Sequence, residues 1–329
     1  MSDRIVLVTG GSGYVGSVLV PLLAKDFRVR VVETMTFGNP IADTPNVEFI
    51  RADILDYRAL ADAMVGVDSV IHLAGIVTDE LVDMNYVKAM RVNLLGTLNV
   101  VNAARRSDVS RFIYASSSSV YGSQGYVARE HMTPKPQTVY AATKLVGEDI
   151  VQREGGAMTR AMVRSATCCG PAPRMRLDTI VNVFSAQAFF TDTITVHGGD
   201  QYRTNIHVQD AAEFYRLLMD ADDHIDGRVF NIAQGFDTAL HLAQVVAFVA
   251  EKKLNKAIRV DVDHTKRDDR HYRMSGYVAV SLLGWIPKKS LEDAVSDNLD
   301  WFSAGHIKNW EDNIWHNTKR MAEVMRAGN

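Results

Sequence analysis

A glycine-rich turn set between two apolar runs narrows the fold more than any other stretch of the chain. Arg4 to Thr9 reads as a strand, Gly10-Gly11-Ser12-Gly13-Tyr14-Val15-Gly16 follows, a helix runs on through Leu23, and Val29 to Glu33 reads as a second strand. Gly10, Gly13 and Gly16 fit the spacing GxxGxxG, and Gly11, Gly13 and Gly16 fit GxGxxG. Such glycines permit positive φ, let backbone amides approach a pyrophosphate, and let the helix pack closely with its N-terminus facing the anion. Alone the spacing is a weak signal, because a glycine turn can serve packing only. Here it is answered by Glu33 at the end of the next strand, an acid placed to accept ribose hydroxyls and to repel a 2′-phosphate. No arginine follows in Thr34-Met35-Thr36-Phe37-Gly38, so the expected cofactor is NAD rather than NADP.

The alternation continues. Val47 to Ile50 reads as a strand, Asp56 to Met64 as a helix, Ser69 to Leu73 as a strand running into Ala74-Gly75, and about Leu81 to Arg106 as one long helix. Arg111 to Ala115 and Arg160 to Arg164 supply two further strands. Strands alternating with helices imply an α/β fold, a Rossmann-type doubly wound parallel sheet with right-handed crossovers. Such a sheet binds ligands beyond the carboxyl ends of its strands. Glu33, Asp53, Ala74-Gly75 and Ser117 all fall at such ends, and Asp53 could contact an adenine amine. The expected organisation is a dinucleotide-binding domain over residues 1–165, with a strand and helix returning around 204–235, and a smaller mixed α/β region over 166–329. In the second part Asp178 to Phe190 reads as a helix, Gly198 to Arg203 as a loop and Ile206 to Val208 as a short strand. Arg228 to Ile232 reads as a late strand of the main sheet, Ser290 to Phe302 as a helix, and Trp310 to Arg326 as a polar amphipathic tail.

Chemistry is suggested by Tyr140-Ala141-Ala142-Thr143-Lys144, read with the serine run Ser116 to Ser119. A tyrosine and a lysine four apart on a helix share one face. A phenol titrates near ~10, but an ammonium ~4–5 Å away at an effective dielectric of ~20 favours the phenolate by roughly 3–4 kcal/mol before desolvation opposes it. That phenol could accept a proton, with a serine hydroxyl sharing the substrate oxygen. The same spacing on a solvated helix face would mean nothing, so the neighbouring motifs carry the weight.

Composition excludes several classes. With 47% apolar and 23% charged residues and a formal charge of −3, the chain carries no electrostatic footprint for nucleic acid or membrane. No apolar run approaches the ~20 residues of a membrane span, and Met1-Ser2-Asp3-Arg4 passes straight into a strand, so a cytoplasmic protein is expected. The only cysteines, Cys168 and Cys169, are adjacent and fit neither a disulfide framework nor a zinc site. His72 sits in an apolar strand as a core residue would, and His197, His207, His264 and His271 have no metal-site spacing, so no metal is expected.

The ordered set Thr9 to Gly16, His72-Leu73-Ala74-Gly75, Asn93, Ser116 to Gly122 and Tyr140 to Lys144 resembles the extended short-chain dehydrogenases/reductases across nearly the whole chain. More narrowly it resembles the NAD-dependent nucleotide-sugar epimerase/dehydratase group. The resemblance implies that Tyr140 is the base, that Lys144 lowers its pKa and binds the nicotinamide ribose, and that Ser117 orients the sugar hydroxyl. It implies a cofactor site of Gly10, Gly13, Tyr14, Val15, Gly16, Glu33, Asp53, Ile54, Leu73, Ala74, Gly75 and Asn93 with Tyr140 and Lys144. The nucleotide-diphosphate sugar would meet Ser117, Ser118, Thr167 and Arg174, with Arg203 and Arg270 on its diphosphate. Arg174 and Arg176 could reach an anionic sugar or only solvate their loop. A homodimer through helices at roughly 82–106 and 137–154 is also implied.

The serine run separates members of the group. Dehydratases carry an aspartate and a glutamate where this chain has Ser118 and Ser119, and decarboxylases typically keep a glutamate at the second position. The pattern here is closer to that of UDP-galactose 4-epimerases, although Thr167-Cys168-Cys169-Gly170 departs from their usual wall. The expected reaction is C4 epimerisation through a transient 4-keto sugar. A net 4-dehydrogenase or 4-ketoreductase and a non-catalytic dinucleotide-sensing binding protein are the alternatives.

Overall fold

The computed structural model describes residues 3–123, 125–266 and 271–327. In chain order the strands are β1 (Ile5–Thr9), β2 (Arg28–Glu33), β3 (Val47–Arg51), β4 (Ser69–His72), β5 (Arg111–Ser117), β6 (Thr159–Ser165), β7 (Thr167–Cys169), β8 (Thr193–His197), β9 (Tyr202–His207), β10 (Arg228–Ile232), β11 (Gly235–Thr238) and β12 (Arg259–Asp263). Seven of them form a parallel sheet in the order β10-β6-β5-β4-β1-β2-β3, the doubly wound arrangement expected. The order reverses between β1 and β4, so the turns after these two strands diverge and leave a crevice between them. Two small sheets, β11-β9-β7 and β12-β8, complete the structure.

Alternation along β1 explains the layers. Val6 and Val8 pack on one face with Leu19, Leu23 and Phe214, under the helices Gly16–Leu23 and Val208–Leu218. Leu7 packs on the other face with Leu60, Val100 and Val151, under Tyr57–Ala63, Thr97–Arg106 and Val139–Glu154. Each such buried side chain contributes ~1.5–3 kcal/mol, so both faces must be covered for the sheet to stand. A third core joins Ile180–Thr191, Ala239–Leu254 and Leu291–Ser303 through Phe184, Val246 and Leu299, and includes Tyr14 of the glycine turn.

His72 is a core residue. Its Nδ1 lies 2.6 Å from Thr9 Oγ1 and its Nε2 3.0 Å from Thr97 Oγ1, and burial, then the Lys144 charge, hold its pKa down to about 3. The folded chain therefore binds no proton here between about pH 6.5 and 3, whereas the unfolded chain does. Stability from burying the neutral ring is complete above about pH 6.5 and lost as pH falls towards 3, by up to about 4–5 kcal/mol. A His72→Gln variant is expected to show a shallower acid decline than wild type in denaturant titrations from about pH 7 to 4; parallel declines would contradict this.

The long helix expected from about Leu81 to Arg106 is broken. It consists of Asp79–Met84, Tyr86–Met90, a π-helical turn at Arg91–Gly96, and Thr97–Arg106. Asn85 leaves helical geometry and caps the second segment through Lys88 N at 2.9 Å. The π turn, a distortion often found beside functional sites, carries Asn93 inwards. Similarly, β9 starts at Tyr202, so Arg203 stands on a strand and not in the expected loop.

Candidate active site

A cavity of about 1430 Å³ runs along the carboxyl edge of the main sheet and into the small sheets. Its first half is lined by Gly10, Gly13, Tyr14, Val15, Gly16, Glu33, Asp53, Ile54, Leu73, Ala74 and Gly75. Gly10 has φ +74°, and a Cβ there would stand 2.7 Å from Ala74 N. A Cβ on Gly16 would stand 2.6 Å from Gly10 O, so a side chain at either place would close the cradle between β1 and β4. Glu33 Oε1 accepts from Thr34 N at 2.8 Å and Met35 N at 3.3 Å, which fixes the carboxylate at the cavity edge. Asp53 Oδ1 accepts from Leu55 N at 2.9 Å and shapes the neighbouring turn. Cradle and carboxylate together suit the pyrophosphate and ribose of a dinucleotide.

Asn93 departs from its expected place. It is buried behind the wall, its Oδ1 accepting from Ile76 N at 2.8 Å and its Nδ2 donating to Ile76 O at 2.9 Å and Thr143 Oγ1 at 3.1 Å. With its amide so occupied, it pins the segment after Gly75 to the helix that carries Tyr140 and Lys144.

That helix, Val139–Glu154, starts where Thr138 Oγ1 accepts from Ala141 N at 3.2 Å, and Tyr140 lies in its first turn. Ser117 ends β5 and accepts from Ser119 N at 3.2 Å and from the Ser119 hydroxyl at 2.9 Å. The Ser117 proton is thereby left to donate outwards, and a hydrogen bond from Ser117 is among the influences that lower the Tyr140 pKa. Burial pushes the phenol up to about 12, opposed by that hydrogen bond and by the Arg176 charge. Lys144 lines the same cavity as Tyr140, but it is not among the charges that act on the phenol. Its ammonium is buried, donates to Ala115 O at 2.8 Å and lies 5.1 Å from the Tyr114 ring centroid. Burial lowers its pKa to about 8, partly offset by Glu148. A helical spacing of four sets the face but not the depth, and Lys144 lies one turn further along, against β5.

Below these groups runs a buried polar network. Arg164 on β6 grips Glu148 through Nε at 2.9 Å and Nη2 at 2.6 Å, and its Nη1 donates to Tyr121 Oη at 2.8 Å. Tyr121 donates to Asn231 Oδ1 on β10 at 2.8 Å, while the Ser116 hydroxyl donates to Glu148. Three strands and the helix bearing Tyr140 are thus tied at one point.

The second half of the cavity is lined by Ser117, Ser118, Thr167, Cys168, Arg176 and Arg203, among others. Arg176 is paired with Asp178 at 3.0 and 3.3 Å; burial would raise the half-buried Asp178 carboxyl, but this pairing outweighs it and holds the carboxyl below its usual range. Burial raises both cysteine thiols, as suits wall residues and not nucleophiles. Arg203 Nη1 donates to Tyr202 O at 3.0 Å, and its guanidinium lies 5.8 Å from the Tyr272 ring centroid. Arg270 lies outside the described residues. Arg174, expected at the sugar, stands instead beside the glycine turn: its backbone N donates to Ser17 Oγ at 3.2 Å. The C-terminal helix Asn317–Ala327 also reaches the cavity, through Asn317 and Met321, and its polar sequence offered no sign of this.

The family model described as the NAD dependent epimerase/dehydratase family matches residues 6–233. The chain belongs to this family. It is therefore an NAD-dependent enzyme, as the sequence motifs led us to expect. Mouse dTDP-D-glucose 4,6-dehydratase is 26% identical, over 93% of this chain and 90% of its own. Arabidopsis thaliana UDP-glucuronic acid decarboxylase 2 is 32% identical over 88% of this chain, which spans 66% of that protein's length. The structure of a Thermus thermophilus UDP-glucose 4-epimerase in complex with NAD superposes with a TM-score of 0.78 at 25% identity, covering 91% of this chain and 99% of the other. Three reactions share the one scaffold, so the choice among them rests on the side chains at the reacting end. No helix among the described residues is long and apolar enough to cross a membrane.

Proposed function

We infer that this enzyme is a nucleotide-sugar 4-epimerase that holds its NAD through the catalytic cycle. The observation that carries this reading is the row of hydroxyls at the reacting end, where Ser117, Ser118 and Ser119 line the cavity with Tyr140. Eliminating water requires an acid and a base in that place, and a serine hydroxyl cannot take a carbon-bound proton as a carboxylate does. Asp79 and Glu80 also line the cavity, but they stand at the start of the helix Asp79–Met84 and not in the serine run that follows β5.

In this reading Tyr140 takes the proton of the sugar C4 hydroxyl, and Ser117, kept oriented by Ser119, holds the same oxygen. NAD, held by the glycine turn and Glu33, would supply the reversible hydride acceptor for C4. The 4-keto sugar turns and regains its proton from Tyr140, inverting C4 with no net change in oxidation state. Arg203 holds the diphosphate through the turn, joined by Arg270, and Thr167 forms part of the sugar wall.

The test is the absorbance of the purified protein at the reduced-nicotinamide band, before and after a panel of nucleotide sugars, with products resolved by NMR. Transient reduction with a C4-inverted product supports epimerisation. A keto product with lasting reduction shows a 4-dehydrogenase, and silence to every sugar shows a dinucleotide-binding protein.

A homodimer fits the same structure. Met84, Tyr86, Val87, Met90, Leu95, Val139 and Val146 are exposed on the segments expected to pair. Light scattering is expected to give twice the 36.5 kDa chain mass, and a Val87→Glu, Val146→Glu variant to give the monomer. A monomeric wild type would remove this interface.

A further inference from the structure

We propose that the C-terminal helix Asn317–Ala327 is a working part of the dinucleotide site, holding Arg174 over the glycine turn as a clamp on the dinucleotide's phosphates. The helix touches three walls of the cavity. Met321 packs with Ile76, Leu81, Val82 and Ala89, against Phe37 and Tyr140. Arg320 Nε donates to Thr36 O at 3.2 Å, and Asn317 N donates to Asp178 Oδ2 at 3.2 Å. Just before the helix, Trp315 O accepts from Leu177 N at 2.8 Å.

Arg174 is 4% exposed, yet it lines the cavity. Its guanidinium lies 3.9 Å from the Phe37 ring centroid, Nη2 donates to Asn317 Oδ1 at 2.6 Å, and Nη1 donates to Met175 O at 3.3 Å. Both hydrogen-bond acceptors are neutral, and Nε is buried without a partner among the described residues. The carboxylates that act on Arg174 at longer range are engaged elsewhere, Asp178 with Arg176 and Glu33 with the amides of Thr34 and Met35. A buried guanidinium lacking a counter-ion in contact is unfavourable, and the folded chain tolerates it most readily where an anion is to be received. Arg174 is anchored by its backbone to Ser17, the residue after Gly16, where the helix N-terminus and the glycine cradle already favour a pyrophosphate. Arginine at this place adds a charge-assisted contact that the backbone amides alone do not supply. The tail, by fixing Asn317, decides whether that arginine stays in position.

This inference rests on the dinucleotide of the family and not on which sugar reaction follows, so it is tested without any turnover. Full-length protein is stripped of cofactor, and binding of NAD and, separately, of UDP is measured by calorimetry, with thermal unfolding of each cofactor-free variant. Arg174→Met is expected to weaken NAD binding about 30-fold or more and leave UDP binding unchanged. Asn317→Asp places a carboxylate on the guanidinium. It is expected to raise the melting temperature of the cofactor-free protein and to lower NAD affinity about tenfold, opposite signs that a merely structural contact would not give. Should Arg174→Met fail to fold, the Asn317→Asp pair of measurements decides alone. Unchanged NAD affinity in Asn317→Asp, or loss of UDP rather than NAD binding in either variant, would overturn the assignment.

Discussion

Replacing Tyr140 with phenylalanine is expected to lower turnover by about 10²–10⁴-fold and to leave NAD affinity within a few-fold of wild type, because the change removes the proton acceptor and keeps the ring. The helix start does not depend on the hydroxyl, since Thr138 caps it through Ala141 N. What is lost is the Ser117 hydrogen bond and the group proposed to take a proton from the sugar. Burial holds the free phenol at about 12, so in wild type it is protonated near neutrality and the rate rises with pH as the phenolate fraction grows. The phenylalanine variant should show no such rise. Retention of more than about a tenth of wild-type turnover would sink the assignment of Tyr140 as base.

Removing Glu148 should produce the largest loss of stability. Arg164 and Glu148 are 5% and 7% exposed in their side chains, and alanine at 148 strands a buried guanidinium. Breaking a buried pair from one side costs about 3–5 kcal/mol, whereas replacing both partners by apolar side chains of similar size is close to neutral. Glu148→Ala is therefore expected to shift the urea midpoint strongly, and Glu148→Met with Arg164→Met to restore most of it. The restored variant should still turn over slowly, because Ser116 beside Ser117 and the helix turn after Lys144 have lost their common anchor. A cost below about 1 kcal/mol for Glu148→Ala would show that water reaches the site.

The parts legible in the sequence are those where backbone sterics or strand ends leave few choices. Gly10 must lack a side chain to lie against Ala74, and Gly16 to lie against Gly10 and Gly11 within the turn, so their spacing announced the cradle. Arg228 to Ile232 reads as a strand and pairs with β6 in the bounds expected. What sequence could not convey is which long-range partner claims a polar group. Lys144 shares a helix face with Tyr140, but the carbonyl of Ala115 takes its ammonium, and only folding brings Arg176 to the phenol. Asn93 reads as a cofactor contact because it stands in the motif, and the π turn that buries it leaves no mark on the apolar pattern. Arg174 and the tail meet across 143 residues of chain, so no local spacing relates them.

The position of β10 bears on how the molecule is made. Strands β1 to β6 are complete once residue 165 has left the ribosome, but β6 then presents its unpaired edge, Ala161 to Ser165, until Arg228 to Ile232 arrives. At ~5–20 residues per second, the stretch from 166 to 232 takes about 3–13 s to synthesise. During that interval a row of open amides and carbonyls flanked by Met162 and Val163 is a template for a neighbouring nascent chain. The last strand of the main sheet therefore protects as much as it completes, and a molecule cut after residue 165 would keep that sticky edge for its whole lifetime.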